Sequence, residues 1–322
     1  MNILITSAGR RVSLVRAFRK EARKFEPDSK VYTIDIEPGL SPACRVADRF
    51  FCVPEVTSEN YITELLGICV SNKIDLLIPT IDPELHILAN NQELFERAGV
   101  KMIISDIDLI RVCQDKRRTI RFFEEVGIST PQILSKQQPE YPVYAKPYNG
   151  SSSENNYIIN DATELRDYHL DDHELLFFEY LDHDTHDEYT LDLYYDREST
   201  LKCVVPRKRL ETRDGEICKG LTKNNLLVSF TREKLGHIPG ARGCLTLQLF
   251  VDKRETNIYG IELNPRFGGG YPLSYLAGAN YPRWLIEEYL MDRSVDFFHN
   301  WQSNLLMLRY DAEVLVHDFR CQ

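Results

Sequence analysis

Oxygen-bearing side chains alternate along the segment Tyr259–Gly270. Glu262 and Asn264 lie two residues apart in a run with strand character, so both side chains point to one face of the strand. Gln248 lies in the preceding strand pattern, and a hairpin between the two strands would bring its amide to the same face. Carboxylate and amide oxygens are ligands that suit Mg²⁺. Gln248, Glu262 and Asn264 are therefore predicted to bind metal, and Arg266 beside them is predicted to neutralise phosphoryl charge. The alternative is that this segment is simply the solvated end of a strand.

Two lysines carry the next part of the pattern. Lys146 lies on a predicted strand and precedes a turn of small residues, 149–153, whose backbone N–H groups can surround a polyphosphate. The turn lacks the spacing of a Walker A loop, and a surface hairpin with a solvated lysine is the alternative. Lys116 follows the predicted helix cap Asp115 and by itself indicates only an exposed lysine in a first helical turn.

Three other charged residues each allow two interpretations. Asp82 follows a predicted strand, where open α/β sheets bind ligands, but the Asp-Pro-Glu sequence also starts helices, and the helix cap is favoured. Arg207 and Arg209 share one face of a strand ahead of a hairpin signal at 213–216. One of them contacts a phosphate or an acidic substrate, or both belong to a solvated basic edge strand.

The composition limits the class of protein. The chain has 322 residues, is 43% hydrophobic and 27% charged, and carries a net charge of −10. These values are typical of a soluble globular protein and argue against a nucleic-acid binder. Eight cysteines without a C-x-x-C pair favour reduced thiols. No signal peptide and no run of ~18 apolar residues is evident. We therefore expect a cytoplasmic protein that acts on small molecules, without nucleic-acid or membrane partners.

The elements that must position these residues change type along the chain. Strand and helix patterns alternate over the first hundred residues, which indicates a parallel sheet with helices on both faces. The turn Ser7–Arg11 lacks G-x-G-x-x-G, which argues against a dinucleotide-dependent oxidoreductase. A helix is predicted over Asp115–Val126. Strands are then predicted for most of residues 174–263 and again for Leu305–Val316.

The order of these signals resembles the ATP-grasp superfamily, in particular the carbamoyl-phosphate synthetase large subunit and related carboxylate–amine ligases. A helix-start lysine, a strand lysine with a small-residue loop, F-E-Y-L at 178–181, D-E-Y-T-L-D at 187–192 and Q-x(13)-E-L-N-P-R follow one another. The resemblance covers almost the whole chain. It implies an α/β and α+β fold: a parallel-sheet pre-ATP-grasp domain over 1–112, a small lobe or lid over 113–178, and a large lobe over 179–322 with a C-terminal strand extension.

The resemblance also implies roles for individual residues. Lys116 and Lys146 hold the α- and β-phosphates of ATP, and Arg266 and Arg209 take part in catalysis. The implied ligands of two Mg²⁺ ions, or of Mn²⁺ in their place, are Gln248, Glu262 and Asn264. The other implied contacts with the nucleotide are the loop residues Ser151, Ser152 and Ser153. The backbone of Glu179, Tyr180 and Leu181 is expected beside adenine, and Glu188 at the ribose. Asn155 stands near an expected glycine and tolerates a left-handed conformation.

The implied function is that of an ATP-grasp ligase. It activates a carboxylate as an acyl phosphate with Mg–ATP and couples it to an amine, so small-molecule carboxylates and amines are its expected partners. Two alternatives stay open. One is a carbamoyl-phosphate synthetase-like subunit, less favoured because the synthetase resembles two tandem copies of this unit; the other is a nucleotide-binding regulatory protein without turnover. A homodimer and a glutaminase partner are also left open. Loops around residues 7–11, 80–84 and 268–280 are expected to build the substrate pocket.

Overall fold

A computed structural model of the chain describes residues 1–150, 155–213 and 215–319. The first part alternates strands and helices as predicted. The elements are β1 (Asn2–Ile5), α1 (Val12–Phe25), β2 (Lys30–Asp35), α2 (Pro42–Val46), β3 (Arg49–Cys52), α3 (Tyr61–Ser71), β4 (Leu76–Ile78), α4 (Asp82–Asn90), α5 (Gln92–Arg97), β5 (Lys101–Met102) and α6 (Ile107–Gln114). The five strands form a parallel sheet in the order β3-β2-β1-β4-β5.

The central strand of this sheet is covered on both faces. Ile3 and Ile5 pack in a cluster that includes α1, whereas Leu4 packs on the opposite face in a cluster that includes α3 and α4. Strands buried on both faces are continuously apolar because neither face meets water. The short apolar run at the start of the chain is therefore explained, and the predicted parallel sheet with helices on both faces is confirmed.

A second, four-stranded sheet follows. Its region contains α7 (Lys116–Glu125), β6 (Ile133–Leu134), β7 (Val143–Pro147), β8 (Tyr157–Ile159), α8 (Asp167–Asp171) and β9 (Leu175–Glu179). The strands pair antiparallel in the order β6-β9-β7-β8 around a small core of their own. Asp115 caps α7 by accepting a hydrogen bond from the Arg117 N–H. Phe123 of α7 packs in the core of the next sheet, so this helix links the two layers.

The third sheet is the largest. Its region contains β10 (His186–Tyr195), β11 (Leu201–Arg213), β12 (Glu216–Thr222), α9 (Leu226–Leu235), β13 (Gly243–Asp252), β14 (Ile258–Asn264), α10 (Tyr271–Leu276), α11 (Tyr281–Leu290) and β15 (Leu306–Leu308). Six antiparallel strands lie in the order β14-β13-β10-β11-β12-β15. Within the described ranges, no helix combines the length and apolar composition that a bilayer span requires.

The two faces of the six-stranded sheet differ in chemistry. Side chains alternate between faces along each strand, so Leu191 and Leu247 point into an apolar core that also contains residues of α7 and α9. Polar side chains occupy the intervening positions and share the other face. One row across β14, β13, β10 and β11 consists of Glu262, Gln248, Thr190 and Arg207.

Two expectations about secondary structure were wrong. Helix α9 lies inside the region predicted as strands; Asn225 caps it, and its buried residues Leu227, Thr231 and Leu235 recur every four positions. The predicted strands and C-terminal extension over Leu305–Val316 reduce to Leu306–Leu308, the three residues that pair with β12. This strand lies at the sheet edge, and the described residues after it form no further ladder because no strand lies beside them.

The junction between the first and third sheets depends on Gly243. Its φ is +67°, and a Cβ there would lie 2.5 Å from Ile103 Cγ2. We expect Gly243→Ala to lower the free energy of unfolding by about 1–3 kcal/mol, through backbone strain and overpacking. The control is Gly67→Ala in α3, where nothing lies within 4 Å of an added Cβ and a gain of about 0.5–1 kcal/mol is expected. Thermal unfolding measures both; equal midpoints would contradict the packing argument.

Candidate functional site

A cavity of about 840 Å³ lies between the three sheets. Its walls come from β7 and β9 of the four-stranded sheet and from the polar face of the six-stranded sheet. The loops that follow β1 and β4 close one end. All three loop regions that the sequence assigned to a pocket contribute to this cavity, through Arg11, Thr80–Pro83 and Gly268–Gly270. Residues of the two antiparallel sheets and of the loops that follow strands of the parallel sheet therefore line the cavity together.

The predicted metal ligands occupy one wall of this cavity. Gln248 and Glu262 are direct cross-strand partners, and Asn264 is paired with Thr246 one row further along the same face. The hairpin assumed from the sequence is thus present as β13 and β14. Gln248 donates its amide N–H to Glu188, which leaves the amide oxygen as its remaining acceptor. One carboxylate with amide oxygens on a rigid ladder fits a hard divalent cation such as Mg²⁺.

Two buried lysines face this wall. Lys116, at the start of α7, donates to the Gly150 carbonyl at 2.6 Å, and its Nζ lies 3.8 Å from Glu262 Oε1. Lys146 on β7 is also buried, with its Nζ 5.1 Å from the ring centroid of Phe178. The alternative of solvated lysines is therefore wrong for both. Two cations that converge on a single carboxylate leave positive charge for an anionic ligand to neutralise.

Burial lowers the pKa of Lys146 to about 8. The nearby Glu262 carboxylate opposes this shift, whereas the Lys116 ammonium adds to it. The protonated form of Lys146 therefore lacks the solvation that it has in water. An anion bound beside Lys146 would favour this protonated form.

The end of the cavity near β9 contains the residues predicted to contact adenine and ribose. Glu179, Tyr180 and Leu181 line it where the chain leaves the four-stranded sheet. Glu188 also lines it, but forms an ion pair with Arg209, with 3.3 Å between Arg209 Nε and Glu188 Oε1. The predicted acidic residue and the predicted catalytic arginine therefore neutralise each other.

The loop after Lys146 is described only in part. The predicted phosphate contacts Ser151, Ser152 and Ser153 lie outside the described residues. Asn155 has a φ of +56°, the left-handed conformation that asparagine was expected to tolerate.

Arg266 connects the metal wall to the first sheet. Its Nη2 donates to Asp82 Oδ2 at 2.5 Å. Asp82 is the first residue of α4 but makes no capping hydrogen bond, so the favoured interpretation of Asp82 as a cap was wrong. Glu84 takes that role, since its buried carboxylate accepts from the N–H groups of Thr80 and Ile81. The Asp82 side chain is thereby left for an ion pair across the cavity.

The interpretation of Arg207 as part of a solvated edge strand is wrong, whereas its contact with a ligand stays a prediction because Arg207 also lines the cavity. Arg207 is buried and forms a bidentate ion pair with Asp192 at 2.7 and 3.0 Å, and the hydroxyl of Ser274 also donates to Asp192. A Cβ at Gly270 would lie 2.0 Å from Arg207 Nη1, so the glycine loop lies directly against the guanidinium. The sequence showed Asp192 only as the end of D-E-Y-T-L-D and did not indicate its partner.

Two further cavity residues had no role assigned from the sequence, although Arg11 ends one of the loops predicted to build the pocket. Arg11 donates to the carbonyls of Thr80 and Phe267 and so joins the first sheet to the glycine loop. Glu216 begins β12 and lines the cavity as well. The hairpin signal at 213–216 placed Glu216 at a turn, but the register shifts between Arg209 and Thr212 bend the hairpin. Bulges of this kind leave no mark in a single sequence.

Comparisons with known proteins agree with this architecture. A family model described as the PylC-like N-terminal domain matches residues 3–103, and a model described as ATP-grasp in the biosynthetic pathway with Ter operon matches residues 171–308. The biotin carboxylase domain of Hydrogenobacter thermophilus 2-oxoglutarate carboxylase, solved with MgADP, superposes with a TM-score of 0.69 at 18% identity, covering 94% of this chain and 73% of that chain. The chain has the ATP-grasp fold, and the resemblance found in the sequence is confirmed.

Three further proteins show what the chain is similar to. Carbamoyl-phosphate synthase from Methanobrevibacter smithii is 28% identical over 224 residues, which cover 63% of this chain and 60% of that protein. The 3-methyl-D-ornithine–L-lysine ligase from Methanosarcina mazei is 29% identical over 138 residues, 43% of this chain and 34% of that protein. The L-amino acid ligase from Bacillus licheniformis shares the fold, with a TM-score of 0.65 at 18% identity over 90% of this chain and 74% of that chain. The chain thus spans less than two thirds of the curated relatives it matches.

The lowered pKa of Lys146 can be tested by an NMR titration in the absence of any ligand. In protein labelled with ¹³C-lysine, we expect the Cε shift of Lys146 to titrate near pH 8. Lys116→Met should raise this midpoint because it removes a repelling cation, and Glu262→Gln should lower it because it removes the attracting carboxylate. Lys146→Arg identifies the signal by its disappearance. A midpoint near ~10.4, the value of a solvated lysine, would contradict the buried environment.

Proposed function

We propose that the chain is a Mg–ATP-dependent ligase that activates a carboxylate as an acyl phosphate and couples it to an amine. One observation carries this proposal: Gln248 of β13 and Glu262 and Asn264 of β14 share one face of the paired strands, opposite two buried lysines. Metal ligands and lysines at opposite sides of one cavity match the charge pattern of a metal-bound polyphosphate.

Each part of the nucleotide has a proposed contact. Lys116 and Lys146 hold the α- and β-phosphates, the backbone of 179–181 binds the adenine edge, and Glu188 binds the ribose. Gln248, Glu262 and Asn264 hold two Mg²⁺ ions, which when bound neutralise charge on the β- and γ-phosphates. Residues 113–178 act as the lid, because β7 and β9 of this segment line the cavity opposite the six-stranded sheet.

The reaction we propose consists of two displacements. A carboxylate oxygen of the first substrate attacks the γ-phosphorus, and the bond to ADP breaks. The nitrogen of the neutral amine then attacks the carbonyl carbon of the acyl phosphate, and the C–N bond forms. Inorganic phosphate leaves with the electron pair of the broken C–O bond and takes up the proton that the nitrogen loses. Arg266 and Arg209 orient the charged oxygens in both steps. Positioning and charge stabilisation supply the catalysis, so no nucleophilic side chain is needed.

Amino acids are the first candidates for both substrates. Two similar proteins are a ligase of methylornithine with lysine and an L-amino acid ligase. Carbamoyl-phosphate formation is the second candidate, favoured by the similarity to a carbamoyl-phosphate synthase. The test measures ADP release for a panel of carboxylates, each combined with a set of amines. Hydroxylamine is added to trap acyl phosphates, and bicarbonate is tested separately. ADP release with bicarbonate alone would favour the second candidate.

The metal site gives the sharpest test of turnover. We expect Glu262→Gln to reduce ATP turnover by at least a hundredfold, about 2.7 kcal/mol of transition-state stabilisation, because it removes the carboxylate of the proposed metal set. Glu233→Gln on α9, where the side chain is 73% exposed, is the control and should leave turnover unchanged. Turnover of the Glu262 variant within about tenfold of the unsubstituted protein would refute the metal assignment.

The lysine contact is tested by binding alone. Lys146→Met should weaken binding of a non-hydrolysable ATP analogue with Mg²⁺ by about 1.5–3 kcal/mol, since a hydrogen bond between charged groups is lost. Lys101→Met, at an exposed position on β5, serves as the control. Isothermal titration calorimetry measures both. Equal affinities for the Lys146 and Lys101 variants would show that Lys146 does not contact the phosphates.

A further inference from the structure

The tip of the β11–β12 hairpin places a carboxylate in the cavity wall beside the loop Gly268–Gly270. This carboxylate belongs to Glu216. A Cβ at Gly269 would lie 2.2 Å from Glu216 Oε1 and 2.4 Å from its Cδ. Any other residue at position 269 would therefore displace the carboxylate. Gly269 makes room for Glu216 in the loop that follows β14.

Arg309 holds this carboxylate in place. Its Nη1 donates to Glu216 Oε2 at 2.8 Å, and its Nη2 donates to the Gly269 carbonyl. A second ion pair, between Arg213 and Asp311, joins the same hairpin to the same C-terminal segment at 2.6 and 3.0 Å. An ionised carboxylate has about four acceptor positions on its two oxygens, so Glu216 can accept from Arg309 and from a ligand together.

Four other acidic side chains line the cavity, and each already has a partner or a proposed role. Glu179 accepts a hydrogen bond from the Gln132 N–H. Glu262 belongs to the proposed metal set, Glu188 is engaged by Arg209 and Gln248, and Asp82 is engaged by Arg266. Glu216 has no task in the activation of a carboxylate. Its side chain is 48% exposed, so a ligand that enters the cavity can reach it.

We infer that Glu216 binds the ammonium group of the amine substrate, with Arg309 as its positioning residue. The bound ammonium gives up a proton to water before its nitrogen attacks the acyl phosphate. The inference rests on the proposed ligase function and names the group that selects its second substrate. Charge complementarity supports it, because a carboxylate attracts an alkylammonium ion and repels the first substrate. The first substrate is negatively charged, and Arg266 is its proposed contact. The sign of the charge therefore distinguishes the two substrates.

Hydroxylamine separates the two half-reactions. It is uncharged at neutral pH and traps an acyl phosphate as a hydroxamate without an ammonium site. We expect Glu216→Gln to form hydroxamate at the rate of the unsubstituted protein, with the same KM for ATP. The KM for the alkylamine substrate should rise about 10- to 100-fold, the loss expected for a hydrogen bond between charged groups. Glu216→Asp should recover part of the affinity for the amine.

Arg309→Met tests the positioning role. It should raise the KM for the amine by less than Glu216→Gln does, with kcat for hydroxamate formation unchanged. The matched control is Glu211→Gln on the same hairpin. Glu211 is also paired with a cation, Lys219, but does not line the cavity, and the KM for the amine should stay unchanged.

The outcomes distinguish the inference from the function on which it rests. An unchanged KM for the amine in Glu216→Gln would overturn the inference while hydroxamate formation upholds the ligase. Loss of hydroxamate formation in a Glu216→Gln protein with an unchanged thermal midpoint would also overturn it, since Glu216 would then serve activation. Absence of hydroxamate in the unsubstituted protein, with every carboxylate of the panel, would instead refute the proposed function.

Discussion

The alternation of side chains along the antiparallel strands β10, β11, β13 and β14 is the constraint on which the rest of the structure depends. Because successive residues point to opposite faces, one set of positions builds the apolar core under α7 and α9, and the set between them builds the cavity wall. A shift of register by one residue would bury Glu262 and expose Leu263. The packing of the apolar core therefore also fixes which polar side chains face the cavity.

Charge is balanced in this cavity by ion pairs within the protein. Asp192 neutralises Arg207, Glu188 faces Arg209, and Asp82 faces Arg266. The Arg207–Asp192 pair is completely buried, and loss of one partner from such a pair costs about 3–5 kcal/mol. These pairs hold arginines in place before any ligand arrives. Pre-organised charge of this kind requires little rearrangement when a phosphoryl group is transferred.

The two buried lysines are balanced less completely. Lys116 and Lys146 converge on Glu262, and the pKa of Lys146 is lowered to about 8 because burial outweighs the attraction of that carboxylate. The protonated form of Lys146 is therefore disfavoured by its burial, and a bound anion would counter this effect. The lysine is held in this buried position because its neighbours on β7, Ala145 and Pro147, are themselves buried.

The sequence by itself determined the class of fold, because apolar periods of two and of about 3.6 residues depend on local geometry alone. It also determined that Glu262 and Asn264 share a face, and the order of motifs indicated ATP-grasp. Tertiary structure alone decided which charges meet. The pairing of Arg207 with Asp192, of Arg266 with Asp82 and of Glu216 with Arg309 joins residues 15, 184 and 93 positions apart. Such contacts arise from the packing and bending of whole sheets, which no local pattern encodes.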